Sequence, residues 1–318
     1  MTAETVQLAW VSWLEHHMGS EFQRDFPLGD RTTYRVGGRA TGFLRLNGIE
    51  DLVRLHAALA ELEERPRLLV LGRGSNLLVS DRGFDGLVLS LGGSFESLNI
   101  DGSSVRVGAS MALPVAARQI GAAGLSGFEW AVGVPGSFGG AVAMNAGGHG
   151  SDMAASLKSV TVVDLGGSTA VEEWPTARLD LSYRHSAITS EIVVLGGELE
   201  LAGGDSEQIK GAMSDVVQWR RAHQPGGQNA GSVFVNPTDH PPAAFLIEEA
   251  GLRGYRLGSA TVSPKHANFI QAEPDGRAQD VFDLIFYVRE TVREAFGVEL
   301  TTEIRMIGFE EGEVDRGQ

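Results

Sequence analysis

The chain has 318 residues, 42% of them hydrophobic and 21% charged, the make-up of a folded globular protein with room for two or three cores. Its net charge of −15 repels polyanions, which argues against nucleic acid or an anionic membrane as a partner. It has no cysteine, so disulfides, thiolate catalysis and cysteine-based zinc sites are excluded, and no metal site is expected. Glycine is the excess: 42 residues, nearly double the usual share of ~7%. It follows no period, so collagen-like and solenoid readings fail.

In chain order, residues 1–18 read as an amphipathic helix carrying Val6, Leu8, Trp10, Val11, Trp13 and Leu14, closed by Gly19. The helix is acidic and lacks the basic flank and apolar core of a signal peptide or membrane span, so a cytoplasmic protein is expected. A glycine-bearing loop with Arg31 and Arg35 occupies 28–38, and Ala40–Leu46 reads as a strand. Asn47 with Glu50 three residues on predicts a capping box for a helix running to about residue 65. A short buried strand, 68–71, leads into Gly72-Arg73-Gly74-Ser75-Asn76, and Leu77 to Ser80 follow at once as strand. A dinucleotide fingerprint needs a third glycine and a helix at this point. Leu77 holds that place, so a Rossmann unit is excluded, while a strand–turn–strand can still grip a pyrophosphate through main-chain N–H groups.

Strand alternation continues over 86–110, and a short helix, 112–123, ends at Gly124. The run 127–148 then places seven glycines and one proline in twenty-two residues, interleaved with Phe128, Trp130, Val132, Val134, Phe138 and Met144. A linker would be polar; this composition predicts a buried or ligand-covering loop that cradles an anion, such as a phosphorylated cofactor. Strands are predicted at 157–164, 169–173 and 192–201, and a helix at 205–222. The Gly- and Pro-rich segment 224–231 is the best domain boundary. Beyond it come a short helix (243–250), strands near 256–271, a helix (278–296) burying Val281, Leu284, Ile285, Val288 and Val292 before Gly297, a strand (298–307) and an acidic tail from Glu310. The predicted class is α+β, divided at 1–90, 91–223, 224–310 and a tail of 311–318.

Several of these segments together resemble one family. They are Gly72-Arg73-Gly74-Ser75-Asn76-Leu77-Leu78, the stretch 133–141 with Asn145-Ala146-Gly147, and Ser182-Tyr183-Arg184-His185-Ser186. Gly231-Ser232-Val233-Phe234 with Asn236-Pro237, the stretch 246–252, Lys265-His266-Ala267-Asn268-Phe269 and Glu303-Ile304-Arg305 complete the set. In this order they look like the UDP-N-acetylenolpyruvoylglucosamine reductase (MurB) family. The short spacing from Arg184 to Ser232 is similar to its second type, which lacks an extra substrate-covering insertion. The resemblance implies a two-lobed FAD-binding module of the vanillyl-alcohol-oxidase (PCMH) type, lobes 1–90 and 91–223, plus a smaller α+β C-terminal substrate domain, 224–310. It also implies noncovalent FAD, NADPH as hydride donor and a nucleotide-sugar substrate. The product would be UDP-N-acetylmuramate for peptidoglycan, made by a monomeric enzyme with no nucleic-acid or membrane partner.

Reducing an alkene conjugated to a carboxylate needs hydride at one carbon, charge stabilisation at the carboxylate and a proton for the other carbon. The resemblance assigns Arg184 to the carboxylate, for which its always-charged fork is suited. It assigns Ser232 as proton donor and Glu303 as the group that helps stabilise the enolic species. Read without it, these are a strand-end arginine, a turn serine and a solvent-facing carboxylate. For FAD it points to Gly72, Arg73, Gly74, Ser75, Asn76 and Leu77, to Pro135, Gly136, Ser137, Gly139, Gly140 and Asn145, and to Tyr34 in the first glycine loop. For substrate it points to Asn236 and His266, with Arg289 as a cation on the face of its helix opposite the apolar stripe. Two departures stand out: Val235 where the family carries lysine, which removes one cation, and Arg31-Thr32 where relatives have Asn-Thr. Alternatives from other classes are a same-fold flavin oxidase acting on a sugar or aldonolactone, and a non-catalytic flavin- or nucleotide-sugar-binding protein.

Overall fold

A computed structural model describes residues 3–167 and 170–310, with side chains from residue 9 onward. The expected tail 311–318 and the first residue of the strand expected at 169–173 lie outside the described residues, as do the side chains of Val6 and Leu8. The chain forms two compact units, each assembled from interleaved segments. Unit 1 takes residues 1–25, 41–73 and 86–220; unit 2 takes 26–40, 74–85 and 221–318. Each has its own apolar core.

In unit 1 the helix Ala3–Met18 buries Trp10, Val11, Leu14 and Met18, the face expected from its pattern. Trp13 donates its indole N–H to the Ala58 carbonyl at 2.8 Å, joining this helix to Ile49–Ala60. That second helix starts one residue later than predicted. Its N-cap is Gly48, and the Asp51 carboxylate, not Glu50, accepts from the N–H groups of Asn47 and Gly48 at 2.7 and 3.3 Å. It also stops at Ala60 rather than near 65, with Glu61 as its C-cap.

A four-stranded sheet runs in the order Phe22–Phe26, Ala40–Leu46, Phe84–Leu91, Leu68–Val70, its last two strands parallel. A five-stranded antiparallel sheet follows, in the order Glu172–Pro175, Leu157–Asp164, Ile192–Glu200, Ser104–Gly108, Leu98–Asp101. Val160, Val162, Val163, Val193, Leu199, Val105 and Val107 on its strands are all buried.

The core of unit 2 is the helix Ala278–Phe296 packed on a three-stranded antiparallel sheet, Arg256–Leu257, Ala260–Val262 and Ile270–Ala272. All five predicted helix residues are buried, and left-handed Gly297 (φ 69°) ends the helix by donating to Arg293 O at 2.9 Å. The expected strand 298–307 is shorter: only Arg305–Ile307 is regular strand, parallel to Leu77–Val79. Residues 301–303 pair instead with the segment 233–235, which limits regular pairing to a single bridge, Phe234 to Thr302.

Candidate active site

The turn after Leu68–Val70 carries the chain from unit 1 into unit 2 at Arg73–Gly74. Leu77–Val79 follows directly as strand, as the missing third glycine requires. Gly74 is left-handed (φ 62°), and a Cβ there would collide with Arg31 O and Thr32 Cα, so only glycine fits against the first loop. Thr33 N–H donates to Gly74 O at 3.0 Å, locking the two loops together. The N–H groups of Gly72, Arg73, Gly74, Ser75 and Asn76 donate to no acceptor among the described residues. Five successive amides without an internal partner make a nest suited to a phosphate.

The glycine run differs from the expected loop. Glu129–Gly133 is a 3₁₀ turn and Phe138–Ala143 a short helix capped by Ser137, whose Oγ accepts from Gly140 N–H at 3.4 Å. Phe138 and Gly139 donate to Met111 O and Ala109 O at 2.9 and 2.8 Å. The three leading amides of this helix therefore have acceptors within the protein. The glycine at 139 has a packing reason: a Cβ there would lie 2.9 Å from Ala109 Cβ. Gly136 gives its carbonyl to Leu113 N–H at 3.0 Å, beyond Pro135. Gly72 meets this element, since a Cβ there would strike Ser137 Oγ.

Asn145 is buried and fully engaged. Its Nδ2 donates to Ser182 O (2.8 Å) and Asp152 Oδ2 (3.3 Å), and its Oδ1 accepts from Ala154 N–H (3.0 Å). It organises the next loop. That loop is a tight turn closed by Ser182 and His185, which exchange main-chain bonds, with Ser186 Oγ donating to Ala143 O at 2.8 Å. At its tip Arg184 is left-handed (φ 58°), a conformation that costs a non-glycine residue roughly 1–2 kcal/mol. Its Nη2 donates to Gly147 O at 3.1 Å, and its guanidinium lies 4.9 Å from the exposed Tyr183 ring. Nearby, burial first and then the Arg220 charge hold the His149 imidazole below its usual pKa, and burial lowers Arg220 itself.

In unit 2, left-handed Gly231 (φ 81°) precedes Ser232, which is half-buried. Glu303 N–H donates to Val233 O at 2.8 Å and Val235 N–H to Thr301 O at 2.9 Å, so the serine and the carboxylate residue sit on paired segments. Asn76 joins them: its Nδ2 donates to Glu303 O at 3.1 Å and its carbonyl accepts from Arg305 N–H at 3.0 Å. Glu303 is half-buried rather than solvent-facing, because this pairing covers its segment. Tyr34 is fully buried in the core of unit 2, and burial raises its phenol pKa, so it is a neutral core group.

The substrate candidates divide. Asn236 Oδ1 accepts from Ala243 N–H at 3.0 Å, tethering the segment to the short helix Ala243–Glu249. The His266 pKa is lowered, first by burial and further by Arg253 and His223, while its own main chain opposes this; the ring is therefore neutral at pH 7. Arg289 is buried, not opposite the apolar stripe, and its Nη2 reaches Glu299 Oε1 at 2.7 Å. That ion pair offsets the burial of its charge. Asn268, inside a recognised motif but given no role by the sequence, is 4% exposed and bonded to Phe234 through its side chain. The missed signal was an asparagine set directly between Ala267 and Phe269-Ile270.

Among the described residues, no group of three His, Asp or Glu could hold a metal, and no helix is long and apolar enough to cross a membrane. The sheets and the amide-rich turn define an FAD-binding protein of mixed α and β structure: residues 43–172 match the FAD binding domain family. Residues 223–307 match the UDP-N-acetylenolpyruvoylglucosamine reductase C-terminal domain. A protein of that name from Heliobacterium modesticaldum is 40% identical over 300 residues, covering 93% of this chain and 94% of its own. One from Bacillus subtilis is 37% identical, with 89% and 92% covered. The crystal structure of the enzyme from Thermus caldophilus superposes with a TM-score of 0.76 at 35% identity, covering 90% of this chain and 98% of that one. The chain belongs to the UDP-N-acetylenolpyruvoylglucosamine reductase family.

Proposed function

We propose that this protein reduces the enolpyruvyl ether of UDP-N-acetylglucosamine to UDP-N-acetylmuramate, using NADPH and noncovalent FAD, in peptidoglycan precursor synthesis. Identity of 40% over 93% of the chain carries the reaction. The amides of 72–76, without an acceptor among the described residues, suit the FAD pyrophosphate, with Gly72, Arg73, Gly74, Ser75 and Asn76 as main-chain holders and Ser137 beside Gly72. Held there, FAD would supply the hydride-transfer chemistry that links NADPH to the terminal carbon of the enol ether.

The protein's own work is then to hold the alkene, to stabilise charge and to move one proton. Arg184, fixed by Gly147 O, presents a guanidinium to the substrate carboxylate as negative charge moves onto it. Ser232 gives a proton to the adjacent carbon, so hydride and proton together saturate the double bond. A serine hydroxyl is a weak acid and serves here because the acceptor is a strongly basic enolate-like carbon. Glu303, on the segment paired with Val233, stabilises that enolic species beside Ser232. Neutral His266 and Asn236 contribute hydrogen bonds rather than charge on the substrate side.

In this reading 1–90 and 91–223 are the lobes of the FAD module and 224–310 the substrate domain, and the protein is a cytoplasmic monomer without nucleic-acid or membrane partners. Anaerobic mixing tests the reaction: NADPH should bleach the yellow flavin and the enolpyruvyl nucleotide should restore its colour. Failure of either step, or yellow colour retained in an acid precipitate, would contradict a noncovalent reductase.

A further inference from the structure

We infer that Asn268 is a positioning residue for Ser232, its side chain standing in for a neighbouring β-strand along the segment that carries the serine. Beyond Ser232, the four main-chain polar groups of the next two residues are all fixed. Val233 N–H donates to Asn268 O at 2.8 Å, and Val233 O accepts from Glu303 N–H at 2.8 Å. Phe234 N–H donates to Asn268 Oδ1 at 2.9 Å, and Phe234 O accepts from Asn268 Nδ2 at 2.8 Å. A carboxamide carries the same donor and acceptor as a peptide unit, so one side chain reproduces a complete rung of a sheet. Val233, Phe234 and Asn268 are 0%, 1% and 4% exposed, so water cannot replace these bonds.

One edge of the Ser232 segment is thus set by the Glu303 segment and the other by Asn268. Proton transfer to carbon depends steeply on donor placement, and a serine on a loose loop would lose that placement. Asn268 does not act on substrate in this account; it holds the frame on which Ser232 acts. The inference rests on Ser232 being the proton donor.

Asn268→Asp tests it in the full-length FAD-loaded protein, because the two protonation states of the new carboxyl behave differently. A protonated acid can accept from Phe234 N–H and donate to Phe234 O; an ionised one cannot donate and repels that carbonyl. Flavin reoxidation by the enolpyruvyl nucleotide should stay near wild-type at low pH and fall more than about tenfold as the carboxyl ionises. Flavin reduction by NADPH should follow the wild-type pH profile throughout. Equal changes in both half-reactions, or no pH-dependent loss relative to wild type, would overturn the inference. If N268D loses FAD at high pH, Asn268→Thr decides: slower reoxidation alone supports the role, and equal slowing of both half-reactions refutes it. Ser232→Ala measured alongside separates the two claims. Normal reoxidation in S232A sinks the proton-donor reading itself, whereas slow S232A with an unaffected N268D sinks only the positioning role.

Discussion

Arg184 combines two observations that bear on one function: a left-handed backbone and a guanidinium anchored to Gly147 O. Strain of this kind persists where the surroundings over-determine it, and here the 182–186 turn is tied at Ser182 and Ser186. Arg184→Lys retains charge but loses the planar fork. It should slow flavin reoxidation by about tenfold or more while leaving NADPH reduction and FAD affinity unchanged. Weakened FAD binding, measured by flavin fluorescence, would place Arg184 with the cofactor instead. Gly74→Ala should lower FAD affinity and stability together, since its Cβ meets main-chain atoms that cannot move aside. An alanine variant that binds FAD normally would refute the turn's role as an anion nest. The glycine turn is readable from the sequence as a pyrophosphate grip, whereas Arg184 is singled out only by the family pattern; the φ angles supply the physical reason for both.

At the level of elements, periodicity served best where a single element decides its own burial. The helix Ala278–Phe296 was readable because five apolar residues recur at helical spacing before a glycine stop. The glycine run was read as loop because its helix is short and held by tertiary bonds to Ala109 and Met111, which no local pattern announces. Ser232, Glu303 and Asn268 were opaque for the same reason, lying far apart in sequence and brought together by main-chain pairing and the Asn268 carboxamide. The contact between Gly72 and Ser137 is testable as a coupling. Gly72→Ala should destabilise strongly alone, and less in a Ser137→Ala background where the colliding Oγ is gone, with a coupling of about 0.5–3 kcal/mol. Ser137→Ala itself should cost about 1 kcal/mol through loss of the helix cap. Additive thermal shifts would mean that the two elements relax independently.

Across the whole molecule, two independent cores and an acidic surface set how stability responds to pH and ligand. His149 and His266 are both held below their ordinary pKa by burial, so between the lowered folded values and about 6.5 the unfolded chain binds more protons. Their contribution is complete above that range and is lost as pH falls through it. The melting temperature should therefore drop on going from neutral to mildly acidic pH, and a His266→Asn, His149→Asn variant should show a flatter profile. Saturation with FAD at a hundredfold excess over Kd should add about 2.7 kcal/mol. The central claim is that hydride delivery and proton delivery are separate tasks of this one chain, and anaerobic single-turnover kinetics of Ser232→Ala tests it most directly. The account predicts normal flavin reduction by NADPH and severely slowed reoxidation by the enolpyruvyl nucleotide; equal rates to wild type in both half-reactions, or equal slowing of both, would contradict it.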